Sequence, residues 1–271
     1  MSNNIGWCDC TVNPIVGCTK CSPGCENCYA ERFAARLAKN PATAQKYAGV
    51  VDERGRWTGK INFGTSRNDN DMPHDAPGKN KRVFVGSMSD LFHPNVRDLT
   101  RDVIFASILC DHIRPKPKGH TFMILTKRAK EMCDYFSIGQ DIVTRWWGGV
   151  EPEEDVTWPL PNLWLGVTVC NQKEAIDKIP TLLDTPAAKR FLSVEPMLGP
   201  VDLTRFLPAL DWVICGGETG PGARPMHPDW VRRLRDQCVE AGVPFYFKGW
   251  GGMKKTPALL DGREWREFPK Q

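Results

Sequence analysis

From Arg82 onward the chain alternates short, nearly uninterrupted apolar runs with longer amphipathic stretches. The runs are "RVFVGSM" (82–88), "TFMILTK" (121–127), "LWLGVTV" (163–169), "RFLSVEP" (190–196), "DWVICGGE" (211–218) and "PFYFKGW" (244–250). Between them, "NVRDLTRDVIFASIL" (95–109), "QKEAIDKIPTLL" (172–183) and "DWVRRLRDQCVEAG" (229–242) carry apolar residues at helical spacing. Continuous apolar strands alternating with amphipathic helices predict a parallel sheet covered by helices. "WCDCTVNPIVG" predicts a first strand near the N-terminus, and "YAERFAARLAKN" a helix that closes before Pro41. Residues from about 40 to 80 are polar and rich in Gly, Asn and Asp, which predicts an excursion with little regular structure, a candidate mobile flap.

Six or seven such units favour an α/β fold built as a partial or complete parallel (β/α) barrel over a doubly wound open sheet. Each right-handed crossover lays the next parallel strand beside the last. The ends of the runs point the same way. Polar or small residues occupy nearly every C-terminal tip: Ser87, Ser89 and Asp90; Thr126 and Lys127; Thr168 and Asn171; Glu195; Gly216, Gly217 and Glu218; Lys248. In a parallel barrel those tips converge on one face and form the site. Residues 1–271 are therefore read as a single barrel domain, with a polar insertion at about 40–80 and a C-terminal extension from about 251.

Composition excludes some classes. No apolar run approaches the ~18 residues needed to cross a bilayer, and "MSNNIGWCDC" lacks the parts of a secretory signal. A cytoplasmic protein with no membrane partner is expected. A net charge of +4 permits a polyanionic partner without demanding one. The eleven cysteines change the picture more. In a reducing compartment they are more often metal-binding or catalytic than cross-linked. Cys110, Cys133, Cys170, Cys215 and Cys238 stand among apolar neighbours and are expected to be small buried hydrophobes. Cys18, Cys21, Cys25 and Cys28 crowd into "NPIVGCTKCSPGCENCYAERFAARL", just ahead of a predicted helix.

Four chemistries suit such a loop. Two unstrained disulfides fit poorly in so short a segment. Zinc is served by two Cys-x2-Cys knuckles and four thiolates, although only three residues separate the knuckles here, against ~12–20 in paired knuckles. A closed four-thiolate cluster matches a compressed ferredoxin spacing, but an electron carrier has no use for a barrel with polar strand tips. The remaining option holds three irons of a cluster with three thiolates and leaves the fourth iron open, as catalytic metal sites leave a position open.

Cys21-x3-Cys25-x2-Cys28 is also the spacing of the radical S-adenosylmethionine (radical SAM) enzymes. Moreover, "GCTKCSPGCENCYAERFA", "VFVGSMSDLFHP", "MILTKRA", "LGVTV", "SVEPMLGPVDL", "DWVICGGETGPGARPMHPDWVRRLRDQC" and "VPFYFKGWGG" span most of the chain. Together they resemble the three-cysteine-motif family of phage and bacterial proteins, related to radical SAM proteins and of poorly defined role. That family's triad falls on Cys18, Cys25 and Cys28. Its position 21 is usually not cysteine, so this chain permits either triad, and the flanking "GCTK" and "SPGC" favour Cys18. Cys21 is then a bystander or a fourth thiol. Asn27 stands where many radical SAM enzymes carry an aromatic residue, and Tyr29 is a candidate cover for the cluster instead.

The resemblance implies a 4Fe-4S cluster, S-adenosyl-L-methionine as cofactor, a flavodoxin- or ferredoxin-type electron donor, and a radical SAM enzyme that abstracts hydrogen from a substrate. It implies that "GSMSD" meets the methionyl amino group, through Ser87, Ser89 and Asp90; a turn or helix cap is the plain account of the same residues. "GGE" at 216–218 looks like the glycine-glycine-acid signature of those enzymes but lies on a late strand. Gly216 and Gly217 allow close backbone approach, and Glu218 is a candidate acceptor for a hydroxyl. Glu195 is costly to bury alone and calls for Lys127 or Lys248 as a partner. Thr126, Thr168 and Asn171 complete the candidate cofactor-binding set. In "GARPMHP", Arg224 and His227 are candidates for substrate binding or capping, and the cap is favoured for His227 ahead of Pro228 and Asp229.

Basic clusters at 78–82, 126–130, 232–235 and 253–255, with Trp57, Trp146, Trp147 and Trp250, make a nucleobase or nucleic acid the leading expectation for the substrate, as in DNA modification or repair. Solvated helix faces and core tryptophans are the plain alternative for any one cluster. A radical peptide-modifying enzyme is a rival, though only Cys215 and Cys238 remain near the C-terminus for an auxiliary cluster. A non-catalytic iron–sulfur or zinc-binding interaction protein is the rival from another class.

Overall fold

The computed structural model describes residues 5–64, 71–149, 156–254 and 256–270. Residues 65–70 of the polar insertion and Lys255 of the last basic cluster lie outside these. The main sheet has seven strands: β1 (Cys10–Val12), β2 (Arg82–Val85), β3 (Thr121–Thr126), β4 (Leu163–Val169), β5 (Lys189–Val194), β6 (Trp212–Gly216) and β7 (Phe245–Gly249). Every pairing is parallel and the spatial order is the chain order, β1 through β7. Among the described residues no strand reverses the winding, as a doubly wound sheet requires. The sheet curls as a partial barrel, and among the described residues β7 is not paired to β1.

Alternation along the strands sorts two cores. Val83, Val85, Phe122, Ile124, Leu165, Val167, Leu192, Val194, Val213 and Phe247 point to the helix-covered face. That face is covered by helices that include α2 (Asp98–Ile113), α3 (Ala129–Phe136), α5 (Gln172–Asp184) and α6 (Pro228–Ala241); α1 (Tyr29–Leu37) and α4 (Asp141–Trp146) complete the set. Phe84, Met123, Trp164, Phe191, Trp212, Ile214 and Tyr246 point inward and close on Trp7 and Cys8 from the N-terminal segment. The Trp7 ring lies 4.8 Å from that of Phe84 and 6.2 Å from that of Trp212. Large aromatic rings thus fill the lower half of the lumen.

Three expectations need revision. The first strand is broken: Cys10–Val12 joins the sheet, while Ile15–Val16 pairs antiparallel with Asn62–Phe63. Pro14 intervenes, and it has no N–H to donate to a ladder. The described part of the insertion has little regular structure but is packed near Tyr47 and Trp57: Tyr47 and Val50 are buried against Ala30 and Ala34 of α1, and the Trp57 backbone N–H donates to Glu31 at 2.9 Å. Two apolar side chains in a polar stretch suffice to anchor it. Finally, Cys170, Cys215 and Cys238 are buried as expected, whereas Cys110 and Cys133 are only half-buried. The C-terminal extension runs along the exposed edge of β7, where Phe247 N–H donates to Trp265 O at 2.8 Å and Glu267 N–H to Phe245 O at 3.2 Å. Covering a free strand edge in this way removes a template for aggregation. No helix among the described residues is long and apolar enough to cross a membrane.

Gly166 on β4 faces the inner core, where a Cβ would lie 2.7 Å from three carbons of the Phe191 ring. Neither ring nor strand has room to retreat, so Gly166→Ala is expected to lower stability by about 1–3 kcal/mol through overpacking. A denaturant titration of both proteins measures this as a lower midpoint at unchanged slope.

Candidate functional site

Above the aromatic plug, the C-terminal ends of the strands surround a cavity of about 150 Å³. Cys18, Cys21, Cys25 and Cys28 line it together with Ser87, Ser89, Asp90, Thr126, Lys127, Thr168, Glu195, Gly217, Glu218 and Lys248. Trp7, Phe84 and Leu125 give it an apolar wall. Two of the expected residues do not line it. Asn171 caps α5, its side-chain oxygen accepting from the Glu174 N–H at 3.0 Å. Gly216 supports from behind: a Cβ there would stand 3.3 Å from both Glu195 Cδ and Lys248 Cβ, so its absence makes room for that pair.

The cysteine loop lies across the strand tips because its local sequence makes it tight. Gly17 holds φ at +108°, and a Cβ there would meet Lys60 O at 2.1 Å. Ser22 caps a short 3-10 turn, Pro23–Cys25, by accepting from Gly24 N–H at 3.1 Å. A Cβ on Gly24 would press within 3.1 Å of Pro196 and 3.5 Å of Cys170, so the loop touches the ends of β4 and β5 directly. Cys28 is the N-cap position of α1, which turns the chain away again.

Each acidic side chain of the site already has a cation. Arg128 donates to Asp90 at 2.9 Å, and Thr126 Oγ1 donates to the same carboxylate at 2.7 Å. Lys248 donates to Glu195 at 2.5 Å, which answers the question of the Glu195 partner. Arg224 donates to both oxygens of Glu218, at 2.9 and 2.6 Å, and Asn27 Nδ2 adds a third bond at 2.9 Å. The same Arg224 reaches Glu26 and the Pro23 carbonyl, each at 2.9 Å. Arg224 thus clasps the cysteine loop to the end of β6. His227 accepts from Asp229 N–H at 3.2 Å and caps α6, as the sequence favours.

What remains unengaged is informative. Ser89 Oγ and Trp7 Nε1 are buried without a hydrogen-bond partner among the described residues. Lys127 opposes its own burial by facing Cys25, Cys28, Asp90 and Cys21, and the balance raises its pKa. Burial pushes the Cys18 thiol up to about 12 against the pull of Arg128. Cys21 and Cys25 share a hydrogen bond, which lowers Cys25 and raises Cys21. Thiols are the donors best placed to ligate a soft or borderline metal here, since the carboxylates are engaged. Among the described residues, no group of three or more His, Cys, Asp or Glu is drawn together for a single ion. The sequence singles out Arg128 only as a member of the basic cluster at 126–130, within the quoted "MILTKRA"; as one basic residue among several, it carries no signal of burial. Trp7 gave none either.

In the remaining basic clusters Arg82 pairs with Asp9, Lys130 with Asp134, and Arg232 and Arg235 with Asp261. Trp146 is buried in the helix-side core, and only Trp57 of the singled-out tryptophans lines the cavity.

Burial raises the Glu218 carboxyl, but the hydrogen bonds from Arg224 and Asn27 outweigh it and lower the pKa to about 2, from an ordinary 4.5. A depressed carboxylate stabilises the fold above its unfolded value, and that contribution fades as pH falls towards the folded value. Glu218→Gln is therefore expected to lower the melting temperature most above about pH 4.5, with the gap to the unaltered protein narrowing towards pH 2, in thermal melts at stepped pH. No curated protein and no solved structure matches the chain. The family model described as "Protein of unknown function (DUF5131)" matches residues 2–269, and the chain belongs to that family.

Proposed function

We propose that this protein is a radical SAM-type iron–sulfur enzyme on a partial β/α barrel. The observation that carries the reading is the loop's position: four cysteines of one short loop line a single cavity at the strand tips. The donor set fits an iron–sulfur cluster. The ligands on offer are thiols, Asp90, Glu195 and Glu218 already pair with cations, and the surrounding wall is partly apolar.

Cys18, Cys25 and Cys28 would hold three irons of a 4Fe-4S cluster. When bound, the cluster and S-adenosyl-L-methionine supply one-electron cleavage of the sulfonium, giving methionine and a 5′-deoxyadenosyl radical that takes hydrogen from a substrate. The chain's own part is to bind, orient and exclude water. Lys127 sets a positive charge opposite the thiolates. Ser89 offers an unengaged hydroxyl, and Thr168 and Ser193 add polar atoms to the same cavity. Trp7, Phe84 and Leu125 seal the floor. Asp90, Glu195 and Glu218 act by fixing the strand-tip cations, a different part from the direct ligand contacts that the resemblance implies for them. Trp57 and the exposed Tyr29 among the lining residues support a nucleobase as the substrate, since aromatic faces stack on bases. The electron would come from a flavodoxin- or ferredoxin-type donor.

Anaerobic reconstitution with iron and sulfide tests the reading. The expected result is a brown protein with about four irons per chain, which cleaves S-adenosylmethionine when reduced with dithionite. Cys25→Ala and Cys28→Ala are expected to lose most of the bound iron and all of the cleavage. A colourless protein that takes up one zinc ion and ignores S-adenosylmethionine overturns the enzyme in favour of a structural module.

A further inference from the structure

We infer that Arg128 is a positioning residue for the cluster: its guanidinium selects Cys18 over Cys21 as the third ligand and holds the cluster's reduction potential up. The inference rests on the iron–sulfur reading above. Two ligand triads can be drawn in this loop, and both contain Cys25 and Cys28, so the choice between Cys18 and Cys21 needs a physical cause. The surroundings of the two sulfurs differ. Arg128 Nη1 donates to Cys18 Sγ at 3.8 Å, and among the described residues no other loop cysteine accepts a hydrogen bond from a charged side chain. Cys21 is exposed, and its side-chain partner is the Cys25 thiol.

The guanidinium is fixed before any ligand arrives. Arg128 is 7% exposed. Nη1 also donates to Asp90 at 2.9 Å, while Nη2 donates to Thr19 O at 3.1 Å and Thr19 Oγ1 at 3.0 Å. Thr19 Oγ1 is braced in turn by His93 Nε2 at 2.9 Å, and Asp90 by Thr126 at 2.7 Å. A buried cation demands such pairing, and although the charge of Arg128 also reaches Cys21, its fork is hydrogen-bonded to the Cys18 sulfur alone among the loop cysteines described. A loop rotated to present Cys21 in its place would give up the Arg128–Cys18 hydrogen bond.

A donor to a ligating thiolate stabilises the more negative, reduced cluster, and hydrogen bonds to the sulfurs are one of the levers that set cluster potentials. Removing the donor lowers the potential. Removing the anion that neutralises Arg128 acts in the opposite sense, because it leaves a net positive charge beside the cluster. A purely architectural role for the Arg128–Asp90 pair gives no such pair of opposite shifts.

The test uses full-length protein reconstituted with iron and sulfide, titrated electrochemically and followed by electron paramagnetic resonance. Arg128→Met is expected to lower the reduced-to-oxidised ratio at a fixed ambient potential about tenfold, a shift of about 59 mV for a one-electron couple. Arg128→Lys, which keeps the charge but not the fork, falls between that variant and the unaltered protein, and Asp90→Asn shifts the potential upward. Cys18→Ala loses iron, and Cys21→Ala does not. If Arg128→Met takes up no iron, the signs of the Arg128→Lys and Asp90→Asn shifts decide. Potentials that stay put in these variants, or shift with one sign in both, overturn the inference, as does iron retained in Cys18→Ala but lost in Cys21→Ala. An unaltered protein that binds no iron–sulfur cluster overturns the reading beneath it instead.

Discussion

A loop carrying four thiols has little reason of its own to lie flat across a sheet, and here it is held by two charge networks, one buried and one partly exposed. On one side Arg128 and Asp90 bind Thr19 to the tips of β2 and β3. On the other, Arg224 and Glu218 bind Pro23, Glu26 and Asn27 to the end of β6. Each pair is affordable in the interior only because its hydrogen bonds are nearly complete. Between the two anchors, Gly24 presses on Pro196 and Cys170, where any side chain would lift the loop away. Take away the ion pairs and the cysteines would no longer face the cavity that the barrel provides.

This arrangement changes what the acidic strand tips mean. Read from sequence, Asp90, Glu195 and Glu218 look like ligand-binding groups at the mouth of a barrel. In the fold each carboxylate neutralises a neighbouring cation; the Asp90–Arg128 and Glu195–Lys248 pairs join elements distant in the chain, and Glu218 and Arg224 pair within one loop. Their work is to fix the positions of Arg128, Lys248 and Arg224. The groups left for a ligand are then thiols, a lysine ammonium, hydroxyls and aromatic rings, a donor-rich set with soft metal-binding capacity.

The sheet was the most legible part of the chain, because strands buried on both faces announce themselves as unbroken apolar runs. All six runs from "RVFVGSM" to "PFYFKGW" overlap strands, and their order follows from the chirality of the crossovers. The first strand was harder, since Pro14 splits one apolar run between two sheets. Helices α3 and α4 are short, eight and six residues, and too few turns fall in each for a period to show. The convergence of polar tips was legible as well; which of them touch a ligand was not. Asn171 has the same composition signal as its neighbours but is consumed by a helix cap. Arg128 was invisible for the opposite reason: an arginine in a basic run reads as solvated, and only the tertiary pairing with Asp90 buries it.

The plug below the cavity closes the physical account. A seven-stranded sheet that does not close leaves a lumen too wide for alternating aliphatic side chains, and this chain fills it from both ends. Trp7 enters from the N-terminal segment, and Phe268 from the C-terminal extension lies 5.3 Å from Trp212, whose indole N–H donates to Glu267 O at 2.9 Å. The rings occupy the lower half, and at the upper rim Thr168, Ser193, Glu195 and Lys248 take the place of the rings of Trp164, Phe191 and Tyr246 that stand earlier on the strands. The change from ring to polar atom along each strand is what sets the depth of the site. Phe84, Leu125 and Trp7 line the same cavity as the cysteines, so a group bound there would meet an apolar surface rather than bulk solvent alone.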